Sequence, residues 1–381
     1  MESPDDAISM PSVTVVIPTW NGLDLLKQFL PSVVDACHSY LQSTSSRVQI
    51  LIVDDASVDA TREWLVSQGF RAVVSDSQDA PATSVPRLGL DFIRNVSNSG
   101  FGASCNRGFH LAAHGIILLL NNDVKIDPDA IGRLARHFRD SRVFAVHCRV
   151  FDMESGRMVG TGKLASFSRG FIRVHSSYVV STEPDVDPNR SPFYSAFASG
   201  GAAMYDRATF EMLGGFEELL SPYYWEDVEL SYRAWKRGYK VLYEPATTAI
   251  HRISSTIGKL DRRSVRIIQQ RNRLVFHWVH LHDHRLLASH LMWLFLLVVS
   301  APVRLQPWFL VSCVKALGLL PRVLARRREE KRAAKLSDRD LFRVFDHLRG
   351  DPHIVPYNRY QELIDRGLAP GFQHPDNTII D

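Results

Sequence analysis

Cysteine is scarce in this 381-residue chain: Cys37, Cys105, Cys148 and Cys313 are all there are, and no two stand as Cys-x-x-Cys. Such scatter argues against a disulfide framework and a thiolate zinc site, and favours a reducing compartment. Long hydrophobic runs are also missing. Leu291–Val299 is almost wholly apolar, but Pro302, Arg304 and Pro307 interrupt it before the chain turns apolar again up to Leu320. Neither run reaches the ~20 residues of a comfortable bilayer span. The opening MESPDDAISM lacks the basic, apolar, small-residue order of a secretory signal, so the cytoplasm is expected and Asn95-Val96-Ser97 reads as a chance sequon. Charge of one sign is not in excess overall: the net is +4, with 45% hydrophobic and 23% charged residues, which fits neither a disordered nor a polytopic membrane chain. No Gly-Lys-Ser/Thr closes a phosphate loop, and no Gly-x-Gly-x-x-Gly follows the first strand, so ATP hydrolysis and NAD binding lose support. No internal repeat is visible.

What is present is alternation. Residues 13–17 and Gln49–Val53 are β-branched runs that stop at Pro18 and at Asp54-Asp55, and Leu23 to Val34 between them repeats at helical spacing. Ala103–Ala113 reads as a helix and Ile116–Leu120 as a strand that ends at Asn121-Asn122-Asp123. This order predicts an α/β fold, with a mainly parallel sheet covered by helices on both faces. From about 150 to 200 a β-rich insertion is expected; Asp206–Leu213 and Glu226–Lys236 read as helices and Tyr239–Tyr243 as a strand. The length suits one large core and an appendage.

Ligands of open α/β sheets bind beyond the carboxyl ends of the strands. Three such ends here carry polar clusters: Pro18-Thr19, Asp54-Asp55 and Asn121-Asn122-Asp123. Asp123, at the tip of a buried strand, offers the hard oxygen that magnesium or manganese takes; its competing role is to cap a helix beginning near Asp127-Pro128. Asn98 to Gly108, with Gly100 and Asn106, places small residues where a loop enters a helix, which allows a ligand to approach the backbone. Glu226-Asp227 opens a helix whose buried stripe is Tyr224, Val228, Tyr232 and Trp235, with Glu229 paired to Arg233. Asp227 is placed to accept a proton from a hydroxyl; the bland alternative is that both acids complement the helix dipole. His251 follows the last strand, where a lone histidine is more often structural than a ligand.

Together these segments resemble the family-2 glycosyltransferases, inverting enzymes of the GT-A (Rossmann-like) fold, over roughly residues 12–280. Val15 to Gly22 is similar to the family's opening strand and loop, and Ile52 to Ser57 to its second. Asn98 to Gly108 is similar to its donor loop, and Asn121-Asn122-Asp123 to its Asp-x-Asp motif. Gly200 to Met204, Gly214-Gly215-Phe216 and Glu226-Asp227 are similar to its acceptor block. The resemblance implies that Pro18, Thr19, Asn21, Asp54, Asp55, Asn98, Gly100, Asn106 and Asn122 serve the nucleotide of a UDP- or dTDP-sugar. It also implies that Asp123 and His251 bind Mn2+ or Mg2+, and that Asp227, with Glu226 beside it, is the base. Asn121 replaces the first aspartate of the metal motif. The implied reaction is a single inverting displacement onto a glycan or lipid-linked glycan, as in rhamnosyltransferase-like enzymes of bacterial cell-surface polysaccharides. A non-catalytic scaffold of the same fold and a metal-dependent nucleotidyltransferase are the rivals.

The expected organisation is a flexible N-terminus (1–11), a catalytic domain (12–260) with nucleotide and acceptor halves meeting near 125, a helical extension (261–350) and a tail (351–381). In the extension, apolar segments are flanked by Arg322, Arg326, Arg327, Arg328, Lys331, Arg332 and Lys335. This pattern suggests peripheral contact through residues 285–335 with an anionic membrane face, which would place the protein at the cytoplasmic side of the inner membrane. A buried helical pair or an oligomer contact is the competing reading. No base-stacking aromatic pattern accompanies the basic run, so nucleic acid is not an expected partner.

Overall fold

The computed structural model describes residues 10–73, 87–180, 193–252 and 261–365. The first strands, β1 (Val13–Thr19) and β2 (Val48–Asp54), are buried at every position, as β-branched runs covered on both faces are. Between them α1 (Leu23–Ser43) buries Leu26, Phe29, Leu30, Val33 and Tyr40 and carries Pro31 internally. Next come α2 (Thr61–Ser67), β3 (Arg71–Ala72) and β4 (Leu88–Arg94). Sequence periodicity passes over β4 because Gly89 and Asp91 interrupt its apolar run. Asp91 is tolerated there because it accepts from Gln49 Nε2 at 2.9 Å and faces Arg71 at 3.0 Å. Helix α3 (Phe101–Leu111) then leads into β5 (Ile116–Leu120).

These strands are parallel in the order β3-β4-β2-β1-β5. Their alternation divides the core in two: Val16, Leu51 and Val53 face α3 through Cys105 and Phe109, whereas Val15, Ile17, Ile50 and Ile52 face α1.

The second half adds β6 (Val124–Ile126), α4 (Ala130–Ala135), β7 (Val143–Asp152), β8 (Met158–Gly160), β9 (Gly162–Ser168) and β10 (Phe171–Val180). It continues with β11 (Phe193–Tyr194), β12 (Ala202–Asp206), α5 (Arg207–Leu213), α6 (Glu226–Lys236) and β13 (Lys240–His251). Strand β12 runs antiparallel to both β5 and β7, while β13 runs parallel to β7, so the sheet is parallel in its first half and mixed in its second. Of the expected β-rich insertion, β9 and β10 form a separate sheet in which β10 lies between β9 and β14 (Ile354–Pro356), whereas β8 and β11 join the main sheet on β7 and β13. Residues 354–356 therefore belong to a sheet.

The remaining helices are α7 (Arg262–His280), α8 (His284–Ser300), α9 (Pro307–Leu317), α10 (Leu320–Ala333), α11 (Asp338–Arg349) and α12 (Tyr357–Asp365). Helix α6 is buried from Val228 to Lys236, so the one-sided stripe expected from its sequence is too narrow. The charged side chains Glu229, Arg233 and Lys236 are paired internally. Arg233 bonds Glu229 at 2.6 Å and Gly215 O at 2.8 Å, and Glu229 in turn meets His280 of α7 at 2.7 Å. Burial alone would raise the Glu229 carboxyl, but Arg233 and His280 outweigh it and hold it at about 2. Asp338 of α11 accepts from Tyr232, Lys236 and the backbone of His282 and Asp283. Removing one member of such a network strands a buried charge, so Glu229→Ala should lose about 3–5 kcal/mol of stability in urea unfolding.

Candidate active site

The parallel strands end level. Thr19 lies opposite Asp54, and Asp54 opposite Arg94. From that edge the loops are bonded to one another. Asp55 N donates to Thr19 O at 2.8 Å, Asn95 N to Asp54 O at 2.8 Å, and Asn122 Nδ2 to Thr19 Oγ1 at 2.9 Å. Pro18 is buried within β1, opposite Val53. Asp54 is fully buried; its Oδ1 accepts from Ser57 N at 2.9 Å, and Arg94 stands 3.6 Å from Oδ2.

Several of the expected nucleotide residues hold loops in place. Asp55 accepts from Asn95 Nδ2 at 2.6 Å, Ser99 N at 2.8 Å and Gly100 N at 2.9 Å, and so shapes the turn into α3. Gly100 there has φ +83°, a conformation that suits glycine. Asn21 joins the first two loops through Ser57 Oγ and Val58 N, each at 2.8 Å. Asn106 clasps Phe216 through both halves of its amide, at 3.0 and 2.8 Å. Asn98 is exposed on the donor-loop segment. A side chain at Gly22 would stand 2.3 Å from Asn122 Nδ2 and 2.5 Å from Thr19 Oγ1, so glycine is what lets α1 start against this edge.

Asp123 does not cap a helix; it precedes β6, whose antiparallel pairing with β13 sets His251 opposite Val124. The pairing brings His251 Nε2 to 3.0 Å from Asp123 Oδ1. A carboxylate oxygen and an imidazole nitrogen this close fit a divalent cation that accepts mixed donors. Among the described residues no third His, Cys, Asp or Glu completes a cluster with them.

The other wall begins where Asn121 N donates to Gly201 O at 3.0 Å, and Gly200 N donates to Asp227 Oδ2 at 3.4 Å. Asp227 Oδ1 accepts from Val228 N at 2.8 Å. The preceding residues, Tyr224 and Trp225, have φ of 70° and 78°, which large side chains rarely adopt. Asn272 of α7 fixes this turn, donating to the carbonyls of Tyr223 and Tyr224 at 2.9 Å each and also to Leu220 O. Burial pushes Glu226 up to about 8, with the Asp227 charge adding to it, and Glu226 Oε2 has no hydrogen-bond partner among the described residues. Burial raises Asp227 too, but backbone N–H groups and the Lys163 ammonium pull it back. Burial thus pushes both carboxyls toward the protonated form, and it is on Asp227 that hydrogen bonds and a nearby ammonium oppose it.

Sequence reasoning missed Lys163 and Asn272. Neither sits in a motif, and both reach the site from elements far away along the chain.

With this geometry in view, the chain belongs to glycosyl transferase family 2, whose model matches residues 14–213; the model of glycosyl transferase family group 2 matches residues 116–325. Among curated relatives, the O-antigen chain rhamnosyltransferase RfbN of Salmonella typhimurium is 27% identical over 237 residues, covering 61% of this chain and 63% of the relative. WbaN of Salmonella anatum, another O-antigen chain rhamnosyltransferase, is 24% identical over 241 residues, covering 61% and 64%. The alignments thus span less than two thirds of those relatives' length. The crystal structure of GalNAc-T7 with UDP, GalNAc and Mn2+ superposes with a TM-score of 0.52 at 18% identity, covering 74% of this chain and 50% of that one. That likeness is one of fold, and the fold is GT-A.

A carboxyl raised in the folded state favours folding at low pH and loses that contribution as pH climbs from the ordinary 4.5 toward about 8. Glu226→Gln removes the loss. Thermal unfolding should show the variant gaining melting temperature over the parent at pH 8 and little or none at pH 5.

Proposed function

We propose that the protein is an inverting glycosyltransferase that moves a sugar from a UDP- or dTDP-sugar to a hydroxyl of a glycan or lipid-linked glycan, in cell-surface polysaccharide synthesis. The observation that carries this reading is the pair of buried carboxyls at the start of α6, where Asp227 is held by Gly200 N and Val228 N beside the strand-end crevice and Glu226 stands next to it. Asp227 accepts the proton of the incoming hydroxyl, whose oxygen bonds to the anomeric carbon as the bond to the diphosphate breaks on the opposite side. The nucleoside diphosphate leaves, and the anomeric configuration inverts. Glu226, pushed toward its neutral form by burial, adds no second charge against the acceptor.

Pro18, Thr19, Asp54 and Asn98 frame the nucleotide, while Asn21, Asp55, Gly100, Asn106 and Asn122 keep their loops in register. Asp123 and His251 would hold the divalent cation, manganese rather than magnesium given the nitrogen donor. When bound, such an ion neutralises the charge that gathers on a departing diphosphate.

Two measurements test the assignment. A panel of nucleoside diphosphates, with and without manganese, should give a metal-dependent thermal shift for one base; a ligand at ~100 times its Kd adds about 2.7 kcal/mol. Asp227→Asn should keep that shift while kcat falls ~10²–10⁴-fold. No turnover in the wild type would favour a scaffold, an unchanged kcat in the variant would remove Asp227 as the base, and release of pyrophosphate would favour a nucleotidyltransferase.

The membrane reading belongs to the same proposal. Among the described residues no single helix is long and apolar enough to cross a bilayer; α9 and α10 pass that test only as a pair bent by 66°. Helix α8 exposes Leu291, Met292, Leu296, Val299 and Phe295, the last at 65%. At the following turn Val303 and Leu305 are 87% and 86% exposed on either side of Arg304. Apolar side chains bordered by arginines suit the interface of an anionic bilayer, at the cytoplasmic face of the inner membrane. Phe295→Glu combined with Leu305→Glu should abolish flotation with vesicles containing phosphatidylglycerol; undiminished flotation would count against this surface.

A further inference from the structure

Between the Asp227 turn and α8 lies a group of cations that the proposed transfer does not use. Arg273 of α7 is half-buried, with its guanidinium carbon 4.3 Å from the centroid of the Phe171 ring. Arg173 of β10 is exposed and lies 6.0 Å from the same ring. Among the described residues neither guanidinium makes an ion pair with a carboxylate. Burial, and then the charge of Arg173, lower Arg273 to about 10. Arg273 is half-buried on an aromatic ring beside a second guanidinium and has no carboxylate against it among the described residues, so an anion bound there would be favoured.

The cluster continues toward the base. A bulge between Arg173 and Ser176 breaks the pairing of β10 with β9, so that Arg173, His175 and Ser176 are exposed while Val174 is buried. Bulges of this kind re-aim side chains beside sites. The His175 ring lies 5.8 Å from that of Trp225, the residue before Glu226. Lys163 bonds Ser177 Oγ at 2.7 Å, and its charge is felt by both His175 and Asp227. In this series of contacts Asp227 stands between Gly200, which borders the strand-end crevice, and the cations.

The far side of the cluster is closed by neutral groups. His277 donates from Nδ1 to Arg273 O and accepts Ile172 N–H at Nε2; His290 donates to Gly170 O and accepts Trp278 Nε1–H. Both imidazoles are thereby held neutral, and their rings meet Phe171 edge-on at 5.2 and 4.9 Å. His290 belongs to α8, and a side chain at Gly170 would stand 2.6 Å from Trp293 Cβ, so this helix packs directly on the β9–β10 turn. The opposite face of α8 carries the exposed apolar side chains Leu291, Met292, Phe295, Leu296 and Val299.

We infer that Arg173, Arg273, Lys163 and His175 form a subsite for a phosphate or diphosphate group carried by the acceptor, which holds the acceptor while its sugar hydroxyl reaches Asp227. The inference rests on the transferase reading above. The planar guanidinium fork matches phosphate oxygens bidentately. The cluster borders the turn that carries Glu226 and Asp227, with His175 against Trp225, which fits a phosphate on the same molecule as the reacting hydroxyl.

The test is a binding measurement on the full chain, independent of turnover. Farnesyl diphosphate, inorganic pyrophosphate and farnesol are titrated by calorimetry, with a chelator present so that Asp123 and His251 hold no metal. Wild type is compared with Arg173→Glu, which alters an exposed side chain, and with Arg273→Gln. Farnesyl diphosphate should bind, with an affinity that falls about tenfold or more in each variant, the loss of a charge-assisted hydrogen bond. Binding of farnesol, and the thermal shift with nucleoside diphosphate and manganese, should not change. Tighter binding of farnesyl diphosphate than of pyrophosphate supports a lipid-borne group; equal binding supports a phosphate site that does not read its carrier. Unchanged affinity for both phosphates in both variants would overturn the subsite. A parallel loss of nucleotide affinity would overturn it too, by moving the arginines to the donor. Failure of the transferase reading would instead appear as no nucleotide shift in the wild type.

Discussion

The structure depends on one constraint: parallel strands whose registers bring Thr19, Asp54 and Arg94 to the same level. Side chains and backbone groups at that edge are close enough to bond one another, and the loops become a single connected surface. Asp55 is the best example, because its carboxylate accepts from three donors on a loop that enters the next helix but one. A crevice built this way is rigid before any ligand arrives, which is what electrostatic preorganisation requires.

The opposite wall is built differently. The pair Glu226 and Asp227 is held by a turn with two positive-φ residues, and that turn is held by Asn272, one buried amide on α7. Strain at such a position persists only when its surroundings over-determine it. Here they do: Glu229 and Arg233 tie α6 to α7 through His280, and Asp338 ties both to α11.

How much of this was legible in the sequence follows from how far each interaction reaches. Abrupt stops at Thr19, Asp54 and Asn121 mark strand ends, because burial on both faces demands apolar runs and the crevice demands polar ones. Strand β4 escaped because Asp91 sits in its interior, and the partner that makes it acceptable, Gln49, lies on another strand. Asp123 and His251 could be grouped only through family resemblance; their 3.0 Å separation arises from the β6–β13 pairing, which no local pattern encodes. Lys163, Asn272 and Arg273 were invisible as site residues for the same reason. Arg273 carries no local signal, since charge counting does not register the Phe171 ring beneath it. The choice between buried and exposed apolar helices also needed coordinates, because composition is the same in both cases.

Asn272 has a consequence for modularity. The strands and motifs that resemble the family end before α7, so a cut near residue 260 looks like a clean domain boundary. Yet the amide that shapes the base turn lies beyond that cut, on the helix that also carries Arg273 and packs beside α8. The helical region is thus part of the scaffold that holds the Glu226–Asp227 turn. Exchanging it between relatives would change the Glu226–Asp227 turn, the surroundings of Arg273 and the exposed apolar face of α8 as one unit.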